Sequence, residues 1–227
     1  MTTFVLVHGA FVGGWYWDEV RARLEKAGHV VDAPQLLSSG PDPTALGDLA
    51  ADTDLVRGHI ESAGEPVVLV GHSYGGMVVT ELADHPDVVH GVYVAALWPA
   101  AGTSANDLMA TLPPLPWAVP QEDGTLRAVD DVGVLHRAIC ADVPRERAEP
   151  LLRRMRPQSL ASLGSPSSAP ERMHPVTYVI CANDASFPPE AQERMAAAAD
   201  HVERLPSSHA PMFSLPDELA ELLGRIR

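Results

Sequence analysis

The stretch from Val67 to Val79, VVLVGHSYGGMVV, joins two kinds of periodicity without a linker. An apolar run ends at Gly71, and a helix-like pattern resumes at Gly75. A short apolar run bounded by glycine indicates a buried strand, whereas apolar residues at helical spacing indicate a helix. The sequence therefore predicts a strand that turns sharply into a helix, with Ser73 on the corner.

The chain on either side of this corner also alternates strand patterns with helix patterns, which is typical of a parallel sheet with helices on both faces. Near-continuous apolar strands suit a sheet that is buried on both sides. We predict six strands, at residues 4–7, 29–33, 67–70, 91–97, 176–182 and 201–205. We predict helices at residues 17–27, 44–60 with Thr44 as the cap, 75–84, 189–199 and 216–227.

One long segment interrupts this alternation. It contains the proline-rich piece TLPPLPWAVP, helical patterns near 132–140 and 144–155, and no convincing apolar strand. A segment of this length exceeds an ordinary connection between two strands. We therefore predict a core formed by residues 1–100 and 175–227, with residues 101–174 inserted as a helical cap.

The charge balance restricts the partners that the chain can bind. It carries 16 basic and 30 acidic residues, for a formal net charge of −14. Its nearest approach to a basic cluster, Arg153, Arg154 and Arg156, looks like one face of a helix. This acidity disfavours nucleic acid and anionic membrane surfaces as partners.

The cysteines and the N-terminus predict a cytoplasmic protein. Cys140 and Cys181 lie far apart and form neither a metal-ligand pattern nor a disulfide framework, which suits a reducing compartment. The N-terminus has no signal-peptide pattern, and the apolar runs are shorter than a membrane span. We predict no metal and no cofactor.

The corner residues 71–75, GHSYG, fit the pattern G-x-S-x-G between a strand and a helix, the context in which a serine becomes an exposed nucleophile. Gly71 and Gly75 would avoid collisions in so tight a turn. The N–H of Tyr74 would then point toward an oxyanion formed at Ser73, at a helix N-terminus that favours negative charge. The alternative interpretation is a glycine-rich turn with an incidental serine.

A serine nucleophile needs a base, and the base needs an acid that orients it. In this arrangement the chain order is serine, acid, histidine. Of the ten histidines, His209 is the candidate that lies in a loop between a strand and the last helix. Asp184 follows the predicted strand 176–182, at an edge where active sites of open α/β sheets gather. A loop-capping role for Asp184 is its alternative, and the rival position after strand 91–97 has no carboxylate before Asp107.

The loop after the first strand, VHGAFVGGW, offers a second oxyanion donor. The chain turns sharply at His8-Gly9-Ala10, and the N–H of Ala10 is the natural partner of the Tyr74 N–H.

Four stretches carry a resemblance to a known family. FVLVHGAFVGGWYW, LVGHSYGG, TYVICANDASFPPE and SSHAPMFSLPDEL resemble the α/β-hydrolase superfamily, in particular the small branch that contains plant methylesterases and hydroxynitrile lyases. ICADVPRERAEPLLRRMRPQSL is similar to the helical cap segment of that branch. The resemblance implies an α/β-hydrolase fold with a mostly parallel six-stranded sheet, helices on both faces and an inserted helical cap. It also implies a catalytic triad of Ser73, Asp184 and His209, and an oxyanion hole at Ala10 and Tyr74.

The residues that differ from this branch separate possible chemistries. Its hydroxynitrile lyases have Thr after the first-strand His and Lys after the base His, where this chain has Gly9 and Ala210. Epoxide hydrolases and haloalkane dehalogenases of the superfamily use an Asp nucleophile, whereas cofactor-free dioxygenases and perhydrolases share the triad. We predict a carboxylesterase-like serine hydrolase that cleaves a small or medium ester through an acyl-enzyme. The alternative is a triad-bearing protein with a non-hydrolytic lyase, biosynthetic or small-molecule-binding role.

The substrate pocket is expected to be mostly apolar, which favours uncharged esters. Each predicted pocket residue could equally pack in the core. These residues are Phe11, Trp98, Trp117, Met155 and Met212. The early cap, residues 103–131, departs from the plant pattern and is expected to set the substrate.

Overall fold

The computed structural model of the protein describes residues 1–226. Its strands, in chain order, are β1 (Thr3–Val7), β2 (Val30–Asp32), β3 (Val67–His72), β4 (Val88–Val94), β5 (Ala118–Pro120), β6 (Thr125–Ala128), β7 (Gln158–Ser159), β8 (Val176–Cys181) and β9 (His201–Leu205). Six of them form one sheet in the order β2-β1-β3-β4-β8-β9, and every neighbouring pair is parallel. The predicted α/β class and the six-stranded sheet are therefore confirmed.

The helices follow the strands in alternation. In chain order they are α1 (Asp18–Lys26), α2 (Leu49–Ala63), α3 (Gly75–Glu81), α4 (Ala105–Met109), α5 (Val132–Ile139), α6 (Arg145–Leu152), α7 (Leu160–Gly164), α8 (Pro189–Ala196), α9 (Pro211–Ser214) and α10 (Pro216–Gly224). Two short 3-10 turns lie at Gly14–Trp17 and Pro43–Ala45. The end of the last predicted helix, Arg227, lies outside the described residues.

The sheet is buried on both faces. Successive side chains of a strand point to opposite faces, and β1 divides accordingly. Phe4 and Leu6 pack in one apolar cluster, which includes residues of α1 and α10. Val5 and Val7 pack in a second cluster, which includes residues of α2, α3 and α8. Helices on both faces, as predicted, exclude water from the strands.

The parallel register gathers distant residues at one edge of the sheet. Val7 pairs with Gly71 at the carboxyl ends of β1 and β3, and Val94 of β4 pairs with Val179 of β8. The loops that leave these strands, which begin at His8, Ser73, Ala95 and Ala182, therefore start side by side. Open α/β sheets bind their ligands at this edge.

Residues 101–174, which were expected to hold helices alone, also contain a small sheet. It consists of β5, β6 and β7, with β6 in the middle and both neighbouring pairs antiparallel. In the chain, β5 and β6 lie between α4 and α5, and β7 lies between α6 and α7. The expectation of no strand in this segment was wrong because these strands have three, four and two residues. Runs so short leave no clear alternating apolar pattern in the sequence.

The start of α2 also differs from the prediction. Its N-cap is Asp48, whose carboxylate accepts the N–H of Ala51 at 3.0 Å. Thr44, the predicted cap, lies in the preceding 3-10 turn and bonds to Asp42 instead. Thr44 and Asp48 are both common N-cap types, so the sequence alone did not show which of them caps the helix.

Within residues 1–226, no helix is long and apolar enough to cross a bilayer.

Candidate active site

Ser73 occupies a strained corner between β3 and α3. Its φ of 53° lies in the left-handed region, which a residue with a side chain seldom adopts. A Cβ added at Gly71 would lie 2.6 Å from the Gly75 carbonyl oxygen, and one added at Gly75 would lie 2.6 Å from the Val7 carbonyl oxygen. The corner therefore tolerates no side chain at either glycine, and it holds the Ser73 side chain at the edge of the sheet.

Asp184 and His209 form a direct hydrogen bond, although they lie 25 residues apart. Nδ1 of His209 donates to Oδ2 of Asp184 at 2.6 Å, and the Asp184 side chain is fully buried. Its Oδ1 accepts the N–H groups of Ser186 and Phe187 at 2.9 and 2.8 Å. Nε2 of Gln192 donates to Oδ2 at 3.1 Å. These bonds fix the carboxylate, and the carboxylate in turn fixes the tautomer and plane of His209.

A second histidine supports the backbone of His209. Nε2–H of His72 donates to the His209 carbonyl at 2.8 Å, and the two ring centroids lie 4.7 Å apart. Burial lowers the pKa of His72 well below its usual value, so the ring stays neutral. His72 thus links the end of β3 to the loop that carries the candidate base.

Ser73 and His209 face the same cavity. Within residues 1–226, no hydrogen bond joins the Ser73 hydroxyl to His209. Hydrogen bonds between a nucleophile and its base are often long in ligand-free enzymes and tighten when substrate binds.

The loop after β1 approaches Ser73 closely. A Cβ on Gly9 would lie 3.0 Å from the Ser73 Cβ, so a larger residue would push this loop away. His8 anchors it: Nδ1 donates to the Gly9 carbonyl at 2.8 Å, and Nε2 accepts the N–H of Leu36 at 2.9 Å. Burial lowers the pKa of His8 to about 4, which keeps the ring neutral and able to make both bonds.

The backbone N–H groups of Ala10 and Tyr74 lie on the two loops that meet at this point. Across the described part of the chain, neither N–H donates to a protein acceptor. Tyr74 is the residue before the first turn of α3, where the helix dipole favours negative charge. Both residues line the cavity, so an oxyanion at Ser73 would find two unused donors nearby.

The cavity has a volume of about 270 Å³, and its wall is mostly apolar. Within residues 1–226, no Lys, Arg, Asp or Glu lines it. Three predicted pocket residues, Phe11, Trp117 and Met155, lie in its wall, and the rings of Phe11 and Trp117 pack edge to face.

Two predicted pocket residues lie elsewhere. Trp98 stacks on Tyr93, with ring centroids 4.5 Å apart, and so packs over the sheet. Met212 is fully buried in the core, because the turn at α9 directs Phe213 into the cavity instead.

Several residues of the cavity wall were not predicted from the sequence. Tyr16, Phe187 and Phe213 line the cavity with Ser73 and His209. All three lie within the motif stretches FVLVHGAFVGGWYW, TYVICANDASFPPE and SSHAPMFSLPDEL, so their place in those motifs was the available signal. More than half of the lining residues belong to residues 101–174. Of the residues described, no group of three or more His, Cys, Asp and Glu could hold a metal.

Comparisons with known proteins show the family of this chain. The model of the alpha/beta hydrolase family matches residues 4–222. A carbendazim hydrolyzing esterase from Nocardioides sp. is 33% identical, with all of both chains covered. Methylesterase 7 of Arabidopsis thaliana is 30% identical over 98% of this chain and 95% of its own. A solved pyrethroid hydrolase from Sphingobium faniae has a TM-score of 0.85 and 29% identity, over 98% of this chain and 96% of that one.

Proposed function

This chain belongs to the alpha/beta hydrolase family, and we propose that it is a carboxylesterase that cleaves small or medium esters through an acyl-enzyme. One observation carries the proposal: His209, which is hydrogen-bonded to the buried Asp184, faces the same cavity as Ser73, and the backbone holds Ser73 on a strained corner. That combination is the arrangement that activates a serine nucleophile.

In the proposed mechanism, Asp184 holds the proton of His209 on Nδ1 and leaves Nε2 free to act as the base. Nε2 of His209 takes the proton of the Ser73 hydroxyl while Oγ of Ser73 attacks the ester carbonyl. The resulting imidazolium protonates the leaving alcohol, and an acyl group remains on Ser73. His209 then deprotonates a water that attacks the acyl carbon. As the acid leaves, His209 returns the proton to Oγ of Ser73, which regenerates the serine.

The N–H groups of Ala10 and Tyr74 are proposed to form the oxyanion hole. They have no other protein acceptor across the described residues, so they are available to the negative oxygen of the tetrahedral intermediate. One donor of this kind contributes about 10²- to 10³-fold to kcat.

The cavity supports an uncharged, largely apolar substrate. Because the described part of its wall has no Lys, Arg, Asp or Glu, a carboxylate or ammonium group of a substrate would find no charged partner there. The names of two relatives, a carbendazim hydrolyzing esterase and a pyrethroid hydrolase, fit substrates of this kind.

We further propose that residues 101–174 act as a cap over a core of residues 1–100 and 175–227. The support is that this segment supplies most of the cavity wall. Its early part, with Met109, Leu115 and Trp117, faces the substrate and is proposed to select it. A cytoplasmic location stays a prediction, supported by the free, buried Cys140 and Cys181.

The test is turnover of short-chain nitrophenyl esters. Asp184→Asn should lower kcat by about three orders of magnitude, because an amide favours the wrong tautomer of His209. Asp217→Asn, at an exposed ion pair with Arg23, is the matched control and should leave kcat unchanged. Ester turnover that survives Asp184→Asn would contradict the proposal, and tight binding of small molecules with no turnover would favour a binding role.

A further inference from the structure

The turn that follows Ala10 is held from a distant part of the chain. Phe11 has a φ of 67°, in the left-handed region that a bulky residue avoids. Its N–H donates to Oε1 of Gln158 at 3.2 Å, and its carbonyl accepts the N–H of Arg156 at 2.7 Å. A strained conformation of this kind persists only where the surroundings over-determine it. Here the surroundings are residues 156–158, at the far end of the proposed cap.

Gln158 is suited to this task by its burial and its bonding. Its relative exposure is 0%, and its Nε2 donates to Oγ of Ser162 at 2.8 Å. A buried amide is costly unless both of its ends are bonded. Since Oε1 is used by Phe11 and Nε2 by Ser162, the side chain has one orientation and presents a fixed acceptor to the turn.

The same segment reaches the other proposed oxyanion residue. The N–H of Ser159 donates to the Ser38 carbonyl at 2.8 Å. The N–H of Ser38 donates to Oδ1 of Asp52 at 2.9 Å, and the hydroxyl of Tyr74 donates to Oδ2 of Asp52 at 3.0 Å. Residues 156–159 are thus bonded directly to the turn at Ala10 and, through Ser38 and Asp52, to Tyr74.

We propose that Gln158 is a positioning residue. It holds the Ala10–Phe11 turn in the conformation that presents the Ala10 N–H to the cavity, and it thereby couples the cap to the oxyanion hole. This inference rests on the proposed function for its kinetic consequence. Its structural part, that Gln158 restrains the turn, can be measured without any turnover.

The experiment compares Gln158→Met, Gln158→Glu and the wild-type protein. Methionine has a similar length and no acceptor for the Phe11 N–H, so the turn should relax. A displaced donor should lower kcat about ten- to a hundredfold, short of the loss of a whole oxyanion donor, with KM within about threefold. Glutamate keeps an acceptor at the same place, and the Ser162 hydroxyl can donate to it by giving up its bond to the Ser159 carbonyl, so kcat should recover to within about fivefold of wild type.

Gln121→Met is the matched control. Gln121 belongs to the same segment and is exposed, and within residues 1–226 its side chain bonds only to the Val119 carbonyl. This variant should leave kcat and KM unchanged. If Gln158→Met does not fold, Gln158→Asn, which is one methylene too short to reach Phe11, takes its place.

Amide hydrogen exchange over residues 9–13 gives the second readout. Exchange should accelerate in Gln158→Met and return toward wild type in Gln158→Glu, with no change in Gln121→Met. Unchanged exchange, or a rise in KM with kcat intact, overturns the proposal. A wild-type protein that turns over no ester would instead remove the proposed function, and the exchange comparison would still decide whether Gln158 restrains the turn.

Discussion

At the scale of single residues, backbone conformation at the candidate site matters as much as side-chain chemistry. Ser73 and Phe11 both lie in the left-handed region, one at the proposed nucleophile and the other beside the proposed oxyanion donor. Each such residue costs on the order of 1–3 kcal/mol, which the rest of the fold must offset. Gly71 and Gly75 beside Ser73, and Gly9 before Phe11, make these turns possible because they have no Cβ that would collide with the neighbouring chain segment.

Gly75 tests this reasoning. A Cβ there would lie 2.6 Å from the Val7 carbonyl oxygen and 2.8 Å from that of His8, both backbone atoms of β1 and its loop. We expect Gly75→Ala to lower the free energy of unfolding by about 3 kcal/mol or more, because β1 and α3 must separate. Urea denaturation measures the change.

Gly58→Ala is the matched control for that substitution. Gly58 lies inside α2, is exposed, and has no atom within 4 Å of an added Cβ. Alanine there should raise the free energy of unfolding by about 0.5–1 kcal/mol, since it reduces the entropy of the unfolded chain. Two changes of equal sign would contradict the close-approach argument.

The residues of the proposed chemistry were more accessible to prediction than those of the pocket. The sequence could propose Ser73, Asp184 and His209 because each has a local signal. Ser73 lies in a glycine-flanked turn, and Asp184 and His209 lie in loops that follow predicted strands. Whether Trp98 or Met212 faces a cavity depends on how loops pack, and both turned out to pack elsewhere. Apolar side chains in walls and cores are chemically alike, so sequence could not separate them.

At the scale of elements, the apolar patterns in the sequence predicted the long helices and the core strands but not where each of them ends. Strand β9 begins and ends where it was expected, at His201 and Leu205. Strand β4 instead ends at Val94, three residues before its predicted end. The apolar run continues past the strand because residues 95–97 are buried behind Ser73, and the N–H of Leu97 donates to the Ser73 carbonyl at 3.0 Å.

The cap of α2 provides a test at this scale. Asp48 accepts the N–H of Ala51, so Asp48→Ala should lower the free energy of unfolding by about 1 kcal/mol. Thr44→Ala removes the residue that the sequence suggested as the cap, and it should change stability by less than about 0.5 kcal/mol. A larger loss at Thr44 than at Asp48 in urea denaturation would mean that the helix begins earlier.

At the scale of the whole molecule, the parallel sheet brings together loops that are remote in sequence. His8 to Ala10, Ser73, Asp184 and His209 meet at one edge because the carboxyl ends of β1, β3, β8 and β9 share it. Alternating strand and helix patterns were sufficient to predict that edge. They could not predict the bond between Phe11 and Gln158, which spans 147 positions and depends on how the inserted segment folds back.

Residues 101–174, the proposed cap, are also proposed to select what the site can accept. The core supplies Ser73, His209 and the two loop amides, whereas residues 101–174 supply most of the apolar wall. On this proposal the reaction type depends on residues outside this segment, and substrate choice depends on a segment whose short strands and proline-rich turns carry weak sequence signals.

The central claim is that Ser73 carries the acyl group of an ester substrate. Acid-quenched mixtures of the protein with a short-chain nitrophenyl ester can be digested and analysed by peptide mass spectrometry. We expect an acyl adduct on Ser73 and a burst of one nitrophenol per chain, with both lost in Ser73→Ala. Steady turnover in Ser73→Ala, or an adduct on another residue with Ser73 unmodified, would contradict it.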